Sequence, residues 1–310
     1  MKKSAAELHQ EREKRFTEAI ELKIPDRVPM EISFGYFPAV YCGLTCEAAY
    51  YDYDGWLSAC KRVLTDMGED MSRVQPFFPG RVLEMINPKS MTWPGHGTSP
   101  HHTHQAVEGE FMLAGDYDVF LSDHTDFILR SYLPRLCGVM EPFSDLPSFS
   151  SQGYGYFLSL TLAEAMIRPE MADAIAKMQQ VGKELQKWRP KMEAFNREIE
   201  VDLGIPVYTP LRALAPFDAI SDHLRGMRGS MLDMYRQPDK VVAACERILK
   251  RMVSGLKPAA PGKNTRVGIP LHRGSEGFMS IKQFETFYWP TLKGLILALV
   301  DNHYTPCVAF

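Results

Sequence analysis

Apolar positions alternate between two spacings along this chain, and that alternation predicts its elements. Residues 4–23 place Leu8, Phe16, Ile20 and Leu22 among Glu, Lys and Ala, a helical pattern stopped by Pro25-Asp26. Arg27 to Gly35 (RVPMEISFG) reads as a buried strand ending at a glycine. A second helix is predicted over Tyr53 to Met67, with Trp56, Cys60, Val63 and Leu64 on one face, and a second strand over Met71 to Phe78.

Residues 79–155 are rich in Pro, Gly, His and Asp, and read as a loop-rich insertion or lid. Inside it, Asp126 to Leu136 predicts a short helix broken at Pro134. Thr161 to Glu164 has the spacing of a capping box, so a helix is predicted to start there and, after a break at Pro169, to run to about Glu200. Val207 to Leu211 reads as a strand, Pro216 to Met234 and Pro238 to about Gly255 as helices, and Lys257 to Asn264 as a loop. Val267 to Leu271 is the next strand. Ser280 to Gln283 is a second capping box, followed by Phe284, Phe287, Leu292, Leu295, Ile296 and Leu299 at helical spacing. Tyr304 to Phe310 is strand-like.

Strand–helix alternation through the second half predicts a parallel sheet with crossover helices. No GxGxxG follows the first strand and no P-loop lysine motif occurs, so the expected architecture is α/β and TIM (β/α)8-barrel-like rather than doubly wound. Five or six strands are countable against the eight that closure requires, so the barrel is expected to be incomplete at the C-terminus of a single domain over 1–310.

Composition narrows the partners. The 310 residues are 45% hydrophobic and 24% charged with a formal net charge of −3, which leaves no basic excess for nucleic acid or an anionic membrane. No apolar core follows the mixed charges of the first fifteen residues, and no run of apolar residues is long enough to span a bilayer, so a cytoplasmic chain is expected. The six cysteines form no Cys-x-x-Cys pair and read as scattered reduced thiols.

His272-Arg273-Gly-Ser-Glu276 directly follows a strand. In a barrel that end faces the active site, and an imidazole, a guanidinium and a carboxylate there suit an anionic ligand. The competing reading is a structural salt bridge or capping loop. Arg212 follows the strand before and is equally an ordinary surface arginine. Asp218, Asp222 and His223 lie on a helix, where a solvated face or a first-turn acid is the ordinary role. Tyr36 and Phe37 can stack on a flat ligand or belong to the core. His102 and His104 would project to one side of an extended segment and share a metal, against the alternative of a polar loop. The acids from Asp116 to Asp126 lack the calcium-loop pattern and read as solvated or capping groups.

Three stretches resemble the uroporphyrinogen decarboxylase superfamily: Phe16 to Met30 (FTEAIELKIPDRVPM), Ala215 to Gly226 (APFDAISDHLRG) and His272 to Pro290 (HRGSEGFMSIKQFETFYWP). The resemblance implies a barrel and chemistry at its top face. It also marks departures. The family's decarboxylases carry two arginines just after the first strand, where this chain has SFGYFPAVYCG, and an aspartate after the second, where it has VQPFFPG. Asp222 stands where they carry a tyrosine. The branch that moves methyl groups with a corrinoid protein is therefore the nearer likeness. It implies His272, Glu276 and Asp222 as catalytic residues, with Arg273, Arg212, Asp218, Tyr36 and Gln75 around the substrate. It also implies a cobamide partner, and a zinc whose His-x-Cys ligands would fall beyond Phe310, with Cys307 too early to serve. The alternatives are a carboxy-lyase acting on a porphyrinogen, and a truncated, non-catalytic paralogue that binds a tetrapyrrole or a partner chain. An open barrel would expose sheet edges and favour a homo-oligomer.

Overall fold

A computed structural model describes residues 3–74, 77–149, 154–207, 211–260 and 265–309. The fold is mixed α/β and mostly helical, and its contacts divide it into two compact units: Met1–Ala106 with Ile175–Thr209, and Val107–Ala174 with Pro210–Phe310.

The first unit opens with helix α1 (Ala5–Ile20), started by a capping box between Ser4 and Glu7. Strand β1 (Glu31–Ile32) pairs in parallel with β2 (Met71–Ser72), and Ser72 also bridges to Val207. Both strands are far shorter than predicted. Pro29 lacks a ladder N–H just before β1, and the Asp70 carboxylate takes the Met30 N–H at 2.9 Å. Between them, α2 (Tyr53–Met67) has the bounds the periodicity predicts. Asp52 caps its start and Gly68 ends it at φ 66°. Its Trp56, Cys60 and Leu64 pack with Tyr36, Tyr50 and Phe77 and with Phe195 and Ile199 of the long helix α3 (Pro169–Asp202). A small sheet follows: β3 (Met91–Pro94) lies between β4 (Gly97–Thr98) and β5 (Gln105–Ala106).

The second unit is built on three parallel strands in the order β6 (Leu211–Arg212), β7 (Arg266–Pro270), β8 (Thr305–Ala309). Helix α4 (Pro238–Ser254) and helix α5 (Trp289–Asp301) supply Val241, Cys245, Leu292 and Leu295 to its core. Val267 and Ile269 of β7 enter the same core. No sheet closes into a barrel among the described residues.

The stretch expected to be a lid contributes directly to packing. Met112, Tyr117, Phe120 and Phe127 are completely buried in the second unit's core. The helix there is not broken at Pro134: a π-helical stretch (Ile128–Tyr132) runs into Leu133–Leu136, with the proline in the first turn of that last segment. Thr161 does not start a helix either. It lies inside Phe157–Met166, and its hydroxyl donates to the Phe157 carbonyl one turn back.

Candidate functional site

Four of the sequence candidates come together at the C-terminal end of β7. Two come from the segment after β6 and two from the loop that leaves β7.

Asp218 ends a short helical turn, Pro216–Asp218, and is completely buried. Its carboxylate accepts the backbone N–H of His272 at 2.9 Å, that of Arg273 at 3.0 Å, and the Tyr288 hydroxyl at 2.6 Å. Burial raises its pKa above the ordinary carboxylate value, against the pull of those donors. The Tyr288 hydroxyl is also pushed up, first by burial and then by the Asp218 carboxylate. Asp218 therefore fixes the backbone of the His272 loop. Gly274 completes the fit, because a Cβ there would stand 2.8 Å from the Tyr288 ring.

Asp222 lies in the following π-helical stretch, Ala219–Leu224, and faces the loop's side chains. One carboxylate oxygen accepts from His272 Nδ1 at 2.5 Å, and the other meets an Arg273 terminal nitrogen at 3.2 Å. Such a bond fixes the imidazole's tautomer and ring plane, and leaves Nε2 for other work. The His272 side chain is 46% exposed, whereas that of Arg273 is 23% exposed. The Arg273 guanidinium lies 4.9 Å from the centre of the Phe278 ring, and its buried Nε has no hydrogen-bond partner among the described residues. The arrangement is an oriented imidazole beside a guanidinium with unused donor capacity. It can exchange a proton with a bound group while holding that group's negative charge.

The other candidates lie elsewhere. Glu276 is exposed on the same loop and makes no described contact with the four. Arg212 is exposed on β6. Tyr36 belongs to the first unit's core: its ring stacks on Phe77 at 4.6 Å, and its hydroxyl meets Tyr50 at 2.7 Å and His104 Nδ1 at 2.8 Å. That ring is 7% exposed, which leaves it little face for a ligand. Gln75 lies outside the described residues. The acids at 116–126 are tied into caps and ion pairs, Asp116 to Arg135, Asp118 to Lys240 and Asp126 to Arg130.

Among the described residues no three His, Cys, Asp or Glu side chains converge to hold a metal, so the zinc that the resemblance implies has no fitting donor set there. His104 is bonded to a tyrosine, and desolvation lowers its imidazole pKa. No described helix is long and apolar enough to cross a membrane.

Sequence reasoning missed Tyr288 and Phe278. Both sit in aromatic-rich stretches where nothing marks one hydroxyl as a carboxylate's partner or one ring as a guanidinium's platform. Comparison of the chain with protein-family models, with curated proteins and with solved structures gives no match in any of the three.

Proposed function

We propose that this chain is a barrel-related enzyme of the uroporphyrinogen decarboxylase superfamily that moves a methyl group between a corrinoid protein and a small anionic acceptor. One observation carries the reading. Two segments that resemble the family, Ala215–Gly226 and His272–Pro290, are joined by the three hydrogen bonds to Asp218 and together form the Asp222–His272–Arg273 cluster. Gly226, which the resemblance includes, is the residue that the backbone needs there. It sits at φ 70°, and a Cβ would stand 3.2 Å from the Gly109 carbonyl.

In this reading Arg273 holds the acceptor's anionic end, and Asp222 keeps the His272 ring aimed with Nε2 outward. With a thiol acceptor, Nε2 takes the S–H proton as the sulfur forms its bond to the methyl carbon. A methylated corrinoid bound as co-substrate would supply that methyl carbon and would keep the electron pair of the bond it gives up. The products are a methyl thioether, a reduced corrinoid and a proton, which His272 passes to water.

The test is anaerobic incubation of the protein with methylcobalamin and mercaptoacetate, followed by loss of the methyl–cobalt absorbance. Transfer should exceed the protein-free rate, should be slower with neutral 2-mercaptoethanol, and should fall ~100-fold in His272→Ala. A rate equal to the protein-free control would sink the reading. Decarboxylation of a porphyrinogen by the same sample would replace it with the carboxy-lyase alternative.

A further inference from the structure

The second unit holds a cavity that shares no residue with the Asp218, Asp222, His272 and Arg273 cluster. We propose that it binds a small carboxylic acid with an apolar body. Its volume is about 380 Å³, within the ~300–1,000 Å³ typical of small-molecule sites. Phe120, Ile128, Leu224, Ile248 and Met252 make the wall apolar.

The polar groups in the lining can all donate a hydrogen bond to an anion. They are His124, Tyr132, His223 and Arg251, and no acidic residue is among them. His124 Nδ1 is buried without a hydrogen-bond partner among the described residues, an unusual condition for a ring nitrogen inside a protein. Arg251 and His223 are exposed, and Arg251 forms no described ion pair. Its guanidinium is permanently charged and matches the two oxygens of a carboxylate.

Backbone geometry points to the same place. Two π-helical stretches contribute to the wall: Ile128–Tyr132 supplies both its end residues, and Ala219–Leu224 supplies Ala219, His223 and Leu224. Each π turn takes an extra residue and opens the groove beside it, and such turns recur at functional sites. Two of them on one apolar cavity with a cationic rim argue for a built site. The apolar wall would take an alkyl or aryl body, and the rim its carboxylate.

The experiment is isothermal titration of the full chain with octanoate, and in parallel with 1-octanol. Octanoate should bind saturably at about one per chain, at least tenfold tighter than octanol. Arg251→Met should weaken octanoate about tenfold while leaving the thermal melt unchanged, since the side chain is exposed. Ala219→Leu, which fills part of the cavity, should weaken octanoate and octanol alike. Arg273→Met should leave octanoate affinity as it is. Absence of octanoate binding, equal affinity for octanol, or an unaltered Arg251→Met would each overturn the proposal. Loss of binding in Arg273→Met would overturn it too, by moving the ligand to the other cluster. None of these outcomes depends on methyl transfer.

Discussion

Asp70 in the first unit and Asp218 in the second are both completely buried, but their charges are met by different kinds of group. Asp70 faces cations. Its carboxylate binds Arg15 and Arg27, each at 2.5 Å, and accepts the Met30 N–H. Arg15 in turn holds Asp26, whose pKa drops to about 2, chiefly through that hydrogen bond. Asp218 faces neutral donors, two backbone N–H groups and one hydroxyl, and burial raises its pKa. A knot of fixed charges locks α1 to the strand ends of its unit. Neutral dipoles around Asp218 position a loop and leave that loop's own side chains, His272 and Arg273, to meet Asp222. The first arrangement ties elements together through charge, and the second fixes the loop that carries the proposed site.

The sharpest way to break this contrast is Asp70→Ala. It strands Arg15 in a buried position, with only the exposed carboxylate of Asp26 left to it, and should cost about 3–5 kcal/mol in urea unfolding. A loss under about 1 kcal/mol would mean that the knot is decorative. Beside it, Glu69 tests the cost of a buried acid without an ion pair. Burial first, and then the charge of Glu31, push its pKa up to about 8. A raised acid contributes full stability below the ordinary value of 4.5, and loses it as pH climbs through about 8. Glu69→Gln never ionises, so its melting temperature should overtake that of the parent as pH rises across this window. Parallel curves would contradict that assignment. Asp218→Asn comes next, at about 2 kcal/mol, because an amide N–H₂ turned toward donors leaves at least one of them unmatched. Its unfolding midpoint should fall, and the His272 backbone amide should exchange faster with deuterium.

What was legible in the sequence follows the same division between local and distant causes. Helix α2 and the Ser280 capping box were readable because periodicity and caps act within a few residues. The helix Pro238–Ser254 was readable from its proline start. The Thr161 to Glu164 spacing misled because a Ser/Thr-x-x-Glu pattern occurs inside helices as well as at their starts. The π turns at 128–132 and 219–224 were invisible, since one extra residue per turn leaves no mark in a 3.6-residue pattern. The strands β1 and β2 shrank to two residues each because an apolar run predicts burial, not ladder pairing. At the site, Asp218, Asp222, His272 and Arg273 could be named as candidates, since resemblance and strand-end position picked out their segments. Their division of labour could not. Asp218 and Asp222 are four apart with similar neighbours, and only burial separates the loop anchor from the carboxylate that meets the imidazole. The Asp70 knot joins residues 11 to 55 positions apart, a coincidence that no local rule anticipates.

The smallest stability effect should come from Asp222→Asn, and it divides Asp222 from Asp218 most finely. The imidazole that Asp222 meets is nearly half exposed, but the Asp222 side chain is only 12% exposed and also meets Arg273, so its loss should cost about 1 kcal/mol, less than Asp218→Asn. The loop backbone stays where Asp218 holds it. In the methyl-transfer reading, however, the imidazole loses the acceptor-only carboxylate that sets its tautomer, since an amide N–H₂ can donate to Nδ1, and turnover should drop by ~100-fold, with the melting temperature only slightly lowered. Urea unfolding and the methyl–cobalt assay on one preparation give both numbers. Large losses in both would make Asp222 a second structural acid and erase its difference from Asp218. An intact rate would place the proton transfer on some other group and leave Asp222 as no more than the ion-pair partner of His272 and Arg273.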